Sequence, residues 1–320
     1  MARTGPDRPG RTRTTTDAGR ASVRAGAGVL AVGATAGALG LAYATLVEPR
    51  WYALRRVTVP GVLAEPTAGP LRLLHVSDVH LLPGQQHRVR FLEELGELDH
   101  HLVVATGDLL GGEHAEEATA RALAPLTSGG RPGLVVLGSN DYFGPIPKSP
   151  TAYLTQPERR VHGPRLDTAR LVDELRHVGY RTLLNEATTV ATAAGGVAVG
   201  AIEDPHLDLT VIPPVERIRC QDPHARLRLG LVHAPYRAAL DRLVEAGYDL
   251  LLAGHTHGGQ LRVPGVGPLV ANCDLPLSQA RGLSRYGSAW LHVSAGLGHS
   301  RYAPVRFACR PEATLLELRP

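Results

Sequence analysis

Leu71-Arg-Leu-Leu-His-Val76 runs directly into Ser77-Asp78-Val79-His80. An apolar run of strand length that ends in a carboxylate and an imidazole reads as a β-strand delivering polar side chains from its carboxyl end. That edge of an α/β sheet is where ligands bind. The device recurs downstream: 102–105 before Gly107-Asp108, 134–137 before Asn140-Asp141, 228–232 before His233, and Leu250-Leu-Leu-Ala253 before Gly254-His255-Thr256-His257. Pooled, these islands offer carboxylate, imidazole and amide groups and no thiolate. This is the donor set of a two-metal hydrolytic site.

Further strand-like runs fall at 196–201 and 290–293, and helix-like stretches at 88–98, 115–124, 167–178 and 236–246. The alternation predicts an α/β domain of sheets covered by helices. Residues 142–166 interrupt it with Gly144, Pro145, Pro147, Pro150, Pro157, Gly163 and Pro164, and carry Lys148, Arg159, Arg160 and Arg165. A loop this long is either functional, here folding over the site to meet a phosphate-bearing substrate, or a solvated excursion.

The five islands, in order Ser-Asp78-Val-His80, Thr-Gly-Asp108-Leu, Gly138-Ser-Asn140-Asp141, Val-His233-Ala-Pro and Gly254-His255-Thr-His257-Gly-Gly-Gln260, resemble the calcineurin-like metallophosphoesterases. The family pattern is D-x-H, G-D, G-N-H-D/E, a lone H, then G-H-x-H. One such motif is weak; five in register over residues 71 to 320 are specific. The Gly-Gly-Gln tail resembles a branch of membrane-associated or secreted bacterial phosphohydrolases. The resemblance implies a four-layer α/β/β/α sandwich and two divalent metal ions. It places Asp78, His80 and His257 on one ion, Asn140, His233 and His255 on the other, and Asp108 as the bridge. Imidazole and carboxylate suit Mn, Fe or Zn better than Ca or Mg. Such a pair, about 3.5–4 Å apart, acidifies a bridging water and clamps the transferring group. Asp108, Asn140, Asp141 and His233 form the expected catalytic set. Residues i and i+2 of an extended segment project alike, so Asp78 and His80 converge. His75, His114, His206, His224 and His299 match no motif and read as surface or core residues.

One motif departs from the pattern. Where the family has Gly-Asn-His, this chain has Gly138-Ser139-Asn140-Asp141. Without a gap, Ser139 replaces the ligand and Asn140 the histidine; shifted by one, Asn140 stays a ligand and Asp141 takes the histidine position. The shift is preferred because an amide oxygen is a reasonable ligand and a serine hydroxyl a poor one. Either way the histidine is missing, and general acid help is worth about 10²–10⁴ in rate. A good leaving group, such as a nucleotide in a pyrophosphate bond, needs that help less than an alkyl alcohol.

The net charge of +4 sits in the leader: residues 1–56 hold nine Arg against Asp7, Asp17 and Glu48, which leaves −2 for the remainder. A near-neutral body lacks the field that nucleic acid requires, so no nucleic-acid partner is expected. Cys220, Cys273 and Cys309 are an odd number without C-x-x-C, which implies no disulfide framework. Residues 25–47 carry no charge and as a helix span roughly 34 Å. They read as an uncleaved membrane anchor, with a cleaved signal ending at Ala42-Tyr-Ala44 as the rival. Arginines ahead of the segment place the catalytic domain outside the cell, though Arg50, Arg55 and Arg56 weaken that orientation. The expected organisation is a basic tail (1–24), an anchor (25–47), a linker (48–70) and a metallophosphoesterase domain (71–320). The expected substrate is a phosphorylated small molecule or a lipid-linked compound at the cell membrane. Two functions are open: hydrolysis of a phosphate ester or pyrophosphate, including that of a nucleotide-linked lipid, or a metal-binding but catalytically idle sensor or scaffold.

Overall fold

The computed structural model describes residues 1, 5, 34–64, 69–147, 162–207, 212–222 and 224–320. The chain divides into two units, Met1–Tyr43 and Ala44–Pro320. In the first, residues 34–42 are helical. The larger unit contains two six-stranded sheets.

The first sheet has the order β1 (Ala53–Val59), β14 (Glu312–Leu318), β2 (Leu71–Val76), β3 (Leu102–Thr106), β4 (Gly133–Val136) and β5 (Tyr180–Thr182). The second has the order β12 (Gly282–Tyr286), β13 (Ala289–Val293), β9 (Leu250–Ala253), β8 (Leu227–Val232), β7 (Gly195–Ile202) and β6 (Glu186–Thr192). β2, β3, β4 and β5 run parallel, as do β7, β8, β9 and β13. A small hairpin pairs β10 (Arg262–Val263) with β11 (Gly267–Pro268).

Three apolar layers hold the sheets and helices together. Leu71, Leu73, Leu102 and Val104 face Val199, Leu229, Leu231 and Leu252 between the sheets. The alternate residues Leu74, Val76, Val103 and Ala105 turn outward onto Leu92, Leu95, Leu123 and Leu171 of the helices Gln86–Gly96, Glu116–Leu123 and Thr168–His177. Val232, Leu251 and Val293 pack beneath Leu240 and Leu243 of the helix Arg237–Glu245. Strands buried on both faces are continuous apolar runs, which is why they were legible as such. Burying each Leu or Val contributes about 1.5–3 kcal/mol. The implied α/β/β/α layering is the observed one.

One expectation is corrected. Residues 53–59, assigned to the linker, form the edge strand β1, paired parallel to β14; Arg55 and Arg56 at its centre hid it, and Arg55 finds Glu312 of β14 at 3.2 Å. Among the described residues no helix is long and apolar enough to cross a membrane. Residues 25–33 lie outside the described residues; the described part continues through Tyr43–Val47 and ends at Glu48-Pro49-Arg50. Residues 148–161 of the interrupting loop, with Lys148, Arg159 and Arg160, also lie outside. Its ends are clasped by Gly144 N–H donating to Pro164 O (2.8 Å) and Leu166 N–H to Tyr142 O (2.9 Å). All three cysteines are free.

His75 and His292 lie between the sheets, both fully buried, with their Nδ1 atoms 2.9 Å apart. Burial holds His75 well below the usual imidazole range and pushes His292 down to about 4. The unfolded chain takes up protons near pH 6.5 that the folded chain refuses, so stability is lost as pH falls from about 6.5 toward 4. For His292 alone the loss amounts to about 3 kcal/mol. Denaturant melts across that range should show His292→Gln flattening the acid limb relative to the wild type; parallel limbs would refute the assignment.

Candidate metal centre

The carboxyl ends of β2, β3, β4, β8 and β9 open on one edge, and the polar residues of the five islands follow them there. Beyond its last paired residue, the chain reverses sharply at three of these edges. Asp78 (φ 47°), His80 (φ 41°), Asp108 (φ 51°), His255 (φ 67°) and His257 (φ 49°) all adopt the left-handed conformation. Non-glycine residues held there cost about 1–3 kcal/mol each and persist where surrounding structure over-determines them. Here loop-to-loop bonds do so: Asp78 N–H to Gly107 O (2.9 Å), His80 N–H to Asp108 O (2.9 Å) and Gly254 N–H to His233 O (2.9 Å). Asp78 and His80 therefore converge through two kinked residues, not through the extended spacing expected of them.

Two groups of side chains bring ligand atoms within 4.8 Å of one another: Asp78, His80 and His257, and Asp78, Asp108 and His233. Asp108 reaches both sides, with Oδ2 3.6 Å from His80 Nε2 and Oδ1 3.5 Å from His233 Nε2. His257 Nε2 lies 3.6 Å from Asp78 Oδ1 and 3.3 Å from His80 Nε2. Carbonyls behind the rings accept from one ring nitrogen and so aim the other toward the centre. His233 Nδ1–H donates to Thr106 O (2.6 Å) and His255 Nε2–H to Asn272 O (3.1 Å). His257 Nδ1 lies 3.2 Å from Gly298 O and 3.4 Å from the Arg306 guanidinium, and it cannot donate and accept at once. Donation to Gly298 is the shorter contact and points Nε2 at His80 and Asp78.

The electrostatics call for a cation. Burial, reinforced by the charge of Asp108, raises Asp78 to about 7 and Asp141 to about 7; burial raises Asp204 to about 6. Burial opposes ionisation of Asp108 as well, but His233 and His80 hold it well below the carboxylate range. His233 is in turn pushed well above the imidazole range, against its own burial, by Asp108 and Asp204. Protons thus gather among buried carboxylates that no Lys or Arg pairs with among the described ion pairs. His233 Nε2, fully buried, has no hydrogen-bond partner. An orphaned imidazole nitrogen aimed at a carboxylate fits a metal ion. Glycines keep the centre open: a Cβ on Gly138 would collide with Asp108 Oδ1, and one on Gly254 with Ser77 Oγ.

The altered motif divides into two behaviours. Asn140 donates its backbone N–H to Asp108 Oδ1 (2.8 Å) and its Nδ2 to Asp108 Oδ2 (2.6 Å), so its amide lies at the centre. Asp141, expected in the lost histidine's place, is turned beneath the loops: Oδ1 accepts from Leu109 N–H (2.7 Å) and Leu110 N–H (3.0 Å), and Oδ2 from Gly138 N–H (2.9 Å). With both oxygens occupied by backbone amides, it braces the loops that carry Asp108 and Asn140.

Several residues of the site were not singled out in the sequence. Asp204, fully buried after β7, has one oxygen bonded to His206 N–H (2.9 Å) and the other without a partner; it succeeds a strand as the other islands do, but matches no motif. His206, read as surface or core, packs against His255 with ring centroids 4.6 Å apart. Ser77 Oγ donates to Asp78 Oδ2 (2.6 Å) and accepts from Thr106 Oγ1 (2.7 Å). Arg306, fully buried, donates to the carbonyls of Ala295 (2.7 Å) and Gly298 beside His257.

A family model described as calcineurin-like phosphoesterase matches residues 71–259, the segment that carries all five islands. The chain belongs to the calcineurin-like phosphoesterase family. Over 149 residues it is 35% identical to the phosphodiesterase YaeI of Escherichia coli (strain K12), a match covering 46% of this chain and 50% of that protein. It is 25% identical over 299 residues to YkuE, an uncharacterized metallophosphoesterase of Bacillus subtilis (strain 168), covering 91% of this chain and 94% of that one. Among solved structures, the phosphopantetheinyl hydrolase of Mycobacterium tuberculosis aligns with a TM-score of 0.40 at 11% identity, over 74% of this chain and 92% of that chain.

Proposed function

We propose that the chain is a phosphohydrolase that cleaves a phosphate ester or a pyrophosphate bond with two divalent ions, Mn, Fe or Zn. Support comes above all from Asp108, whose two oxygens face His80 and the orphaned His233 Nε2 on opposite sides. In this reading Asp78, His80 and His257 hold one ion, Asn140, His233 and His255 the other, and Asp108 spans both. When bound, the ions supply a nucleophile at neutral pH and offset charge growing on the phosphoryl oxygens. The chain's own part is to orient the ligands through Thr106, Asn272 and Gly298, and to brace the two central loops through Asp141.

With both oxygens held by backbone amides, Asp141 does not serve as the lost histidine's proton donor. The proposal therefore favours substrates whose leaving oxygen departs as a stable anion, an aryl or nucleotide phosphate over an alkyl ester. It retains residues 25–47 as the membrane attachment and a lipid-linked or small phosphorylated compound as substrate. The uncharged 25–47 stretch and the Gly258-Gly259-Gln260 tail support this.

The full-length protein, stripped of metal and reloaded with Mn²⁺, should hydrolyse bis(4-nitrophenyl) phosphate. Asn140→Ala should lower the bound metal by one ion and the rate by roughly a hundredfold. Ser139→Ala should stay near wild type. The reverse pattern would make Ser139 the ligand. Two bound ions without turnover on diesters, monoesters and pyrophosphates would favour the idle sensor or scaffold.

A further inference from the structure

We infer that the body of the protein docks by one basic, apolar face onto an anionic lipid surface. The face is built from three segments that meet: residues 44–52, the hairpin 257–269 and the loop 298–311. Arg306 N–H donates to Ala44 O (2.9 Å). The Glu48 carboxylate accepts from Ala308 N–H (3.0 Å) and Cys309 N–H. Phe307 N–H bonds Gln260 O (3.0 Å), and Arg262 N–H bonds Phe307 O (2.9 Å). The Arg310 guanidinium lies 4.1 Å from the centre of the Trp51 ring.

These segments gather apolar side chains that a folded body ordinarily hides. Val266 at the hairpin tip is 82% exposed, Leu269 57%, Leu46 58% and Trp51 52%, and Val263 and Phe307 on the same segments are exposed too. A contiguous exposed apolar patch marks an interaction site. Its charge selects the partner. The three segments hold Arg50, Arg262, Arg301 and Arg310 outside the core, and their one acidic residue, Glu48, is buried against Cys309. Residues 57–320 as a whole carry −2, so this face is a basic exception on a slightly acidic body. Exposed aliphatic and aromatic groups interleaved with arginine suit an interface of acyl chains and anionic headgroups, whereas a protein partner of ordinary composition gains little from a rim that is cationic throughout. Because His257 opens the hairpin, docking would set the edge of the centre at the lipid surface.

The test uses the full-length chain bound to vesicles of brominated phosphatidylcholine, with or without phosphatidylglycerol. Val266→Trp in a Trp51→Phe background puts a reporter at the hairpin tip. Trp290, whose indole N–H is held by Pro60 O (3.0 Å), is the internal reference. The tip reporter should be quenched well beyond Trp290 on anionic vesicles, and the quenching should weaken as salt screens the arginines. Val266→Asp with Leu269→Asp, at exposed positions that tolerate charge, should weaken partition roughly tenfold without lowering the melting temperature. A tip reporter no more quenched than Trp290 on bound protein, equal quenching on neutral vesicles, or a lipid-free dimer that buries the tip would each overturn the inference. None of these readouts depends on catalysis.

Discussion

Asp108→Ala is expected to lower kcat/KM by roughly a thousandfold or more, about 4 kcal/mol of transition-state stabilisation. Asp108 turns one oxygen toward His80 and the other toward His233, lying within 3.6 Å of His80 Nε2 and 3.5 Å of His233 Nε2. It also receives both donors of Asn140. Its removal leaves Asn140 without an anchor and takes from His233 its nearest counter-charge. Bound metal should fall below two ions per chain. Asp108→Asn, which preserves volume, should lose nearly as much activity while unfolding near the wild-type midpoint, so a fold defect is distinguishable from a lost centre. Turnover within tenfold of wild type in both variants would sink the two-ion reading.

Asp141→Ala is expected to cost about 3–6 kcal/mol of stability, the largest effect of any single polar substitution considered. The side chain is fully buried and its carboxylate accepts from three backbone amides, Leu109, Leu110 and Gly138. Alanine strands all three in a dry interior, and each stranded donor costs about 1–3 kcal/mol before relaxation. Against a typical domain stability of about 5–15 kcal/mol, the loss would be plain in a urea midpoint. Asp141→Asn keeps the oxygen that serves Leu109 and Leu110 but turns an amide group against Gly138 N–H, so it should fall between. Activity should decline with the fold, because the amides concerned flank Asp108 and Asn140. A stable Asp141→Ala protein with catalysis alone abolished would return the residue to the substrate.

The uneven legibility of the fold has a physical basis. β2, β3, β7 and β9 were readable because strands buried on both faces are unbroken apolar runs. β1 and β6 were not, because edge strands facing solvent on one side, such as Glu186-Ala-Thr-Thr-Val-Ala-Thr192, alternate weakly and resemble linker. Likewise Asp78, His80, Asp108, His233, His255 and His257 announce themselves as polar residues after such runs. Asp204 and His206 come after a strand too, yet only the charge that Asp204 sets beside His233 and the contact of His206 with His255 distinguish them from an ordinary turn.

By itself the sequence determined the α/β layering, the edge at which the site lies, the family and the chemistry of the donor set, because hydrophobic periodicity and residue type are local properties. Tertiary structure alone decided how those donors converge and what each does. Five of them reach the centre through left-handed backbone that only neighbouring loops can enforce. Asn140 faces Asp108 while Asp141, one residue on, faces the backbone of Leu109, Leu110 and Gly138. Apart from Gly138, that division depends on Asp108, Leu109 and Leu110, about thirty residues away along the chain, which no local pattern encodes.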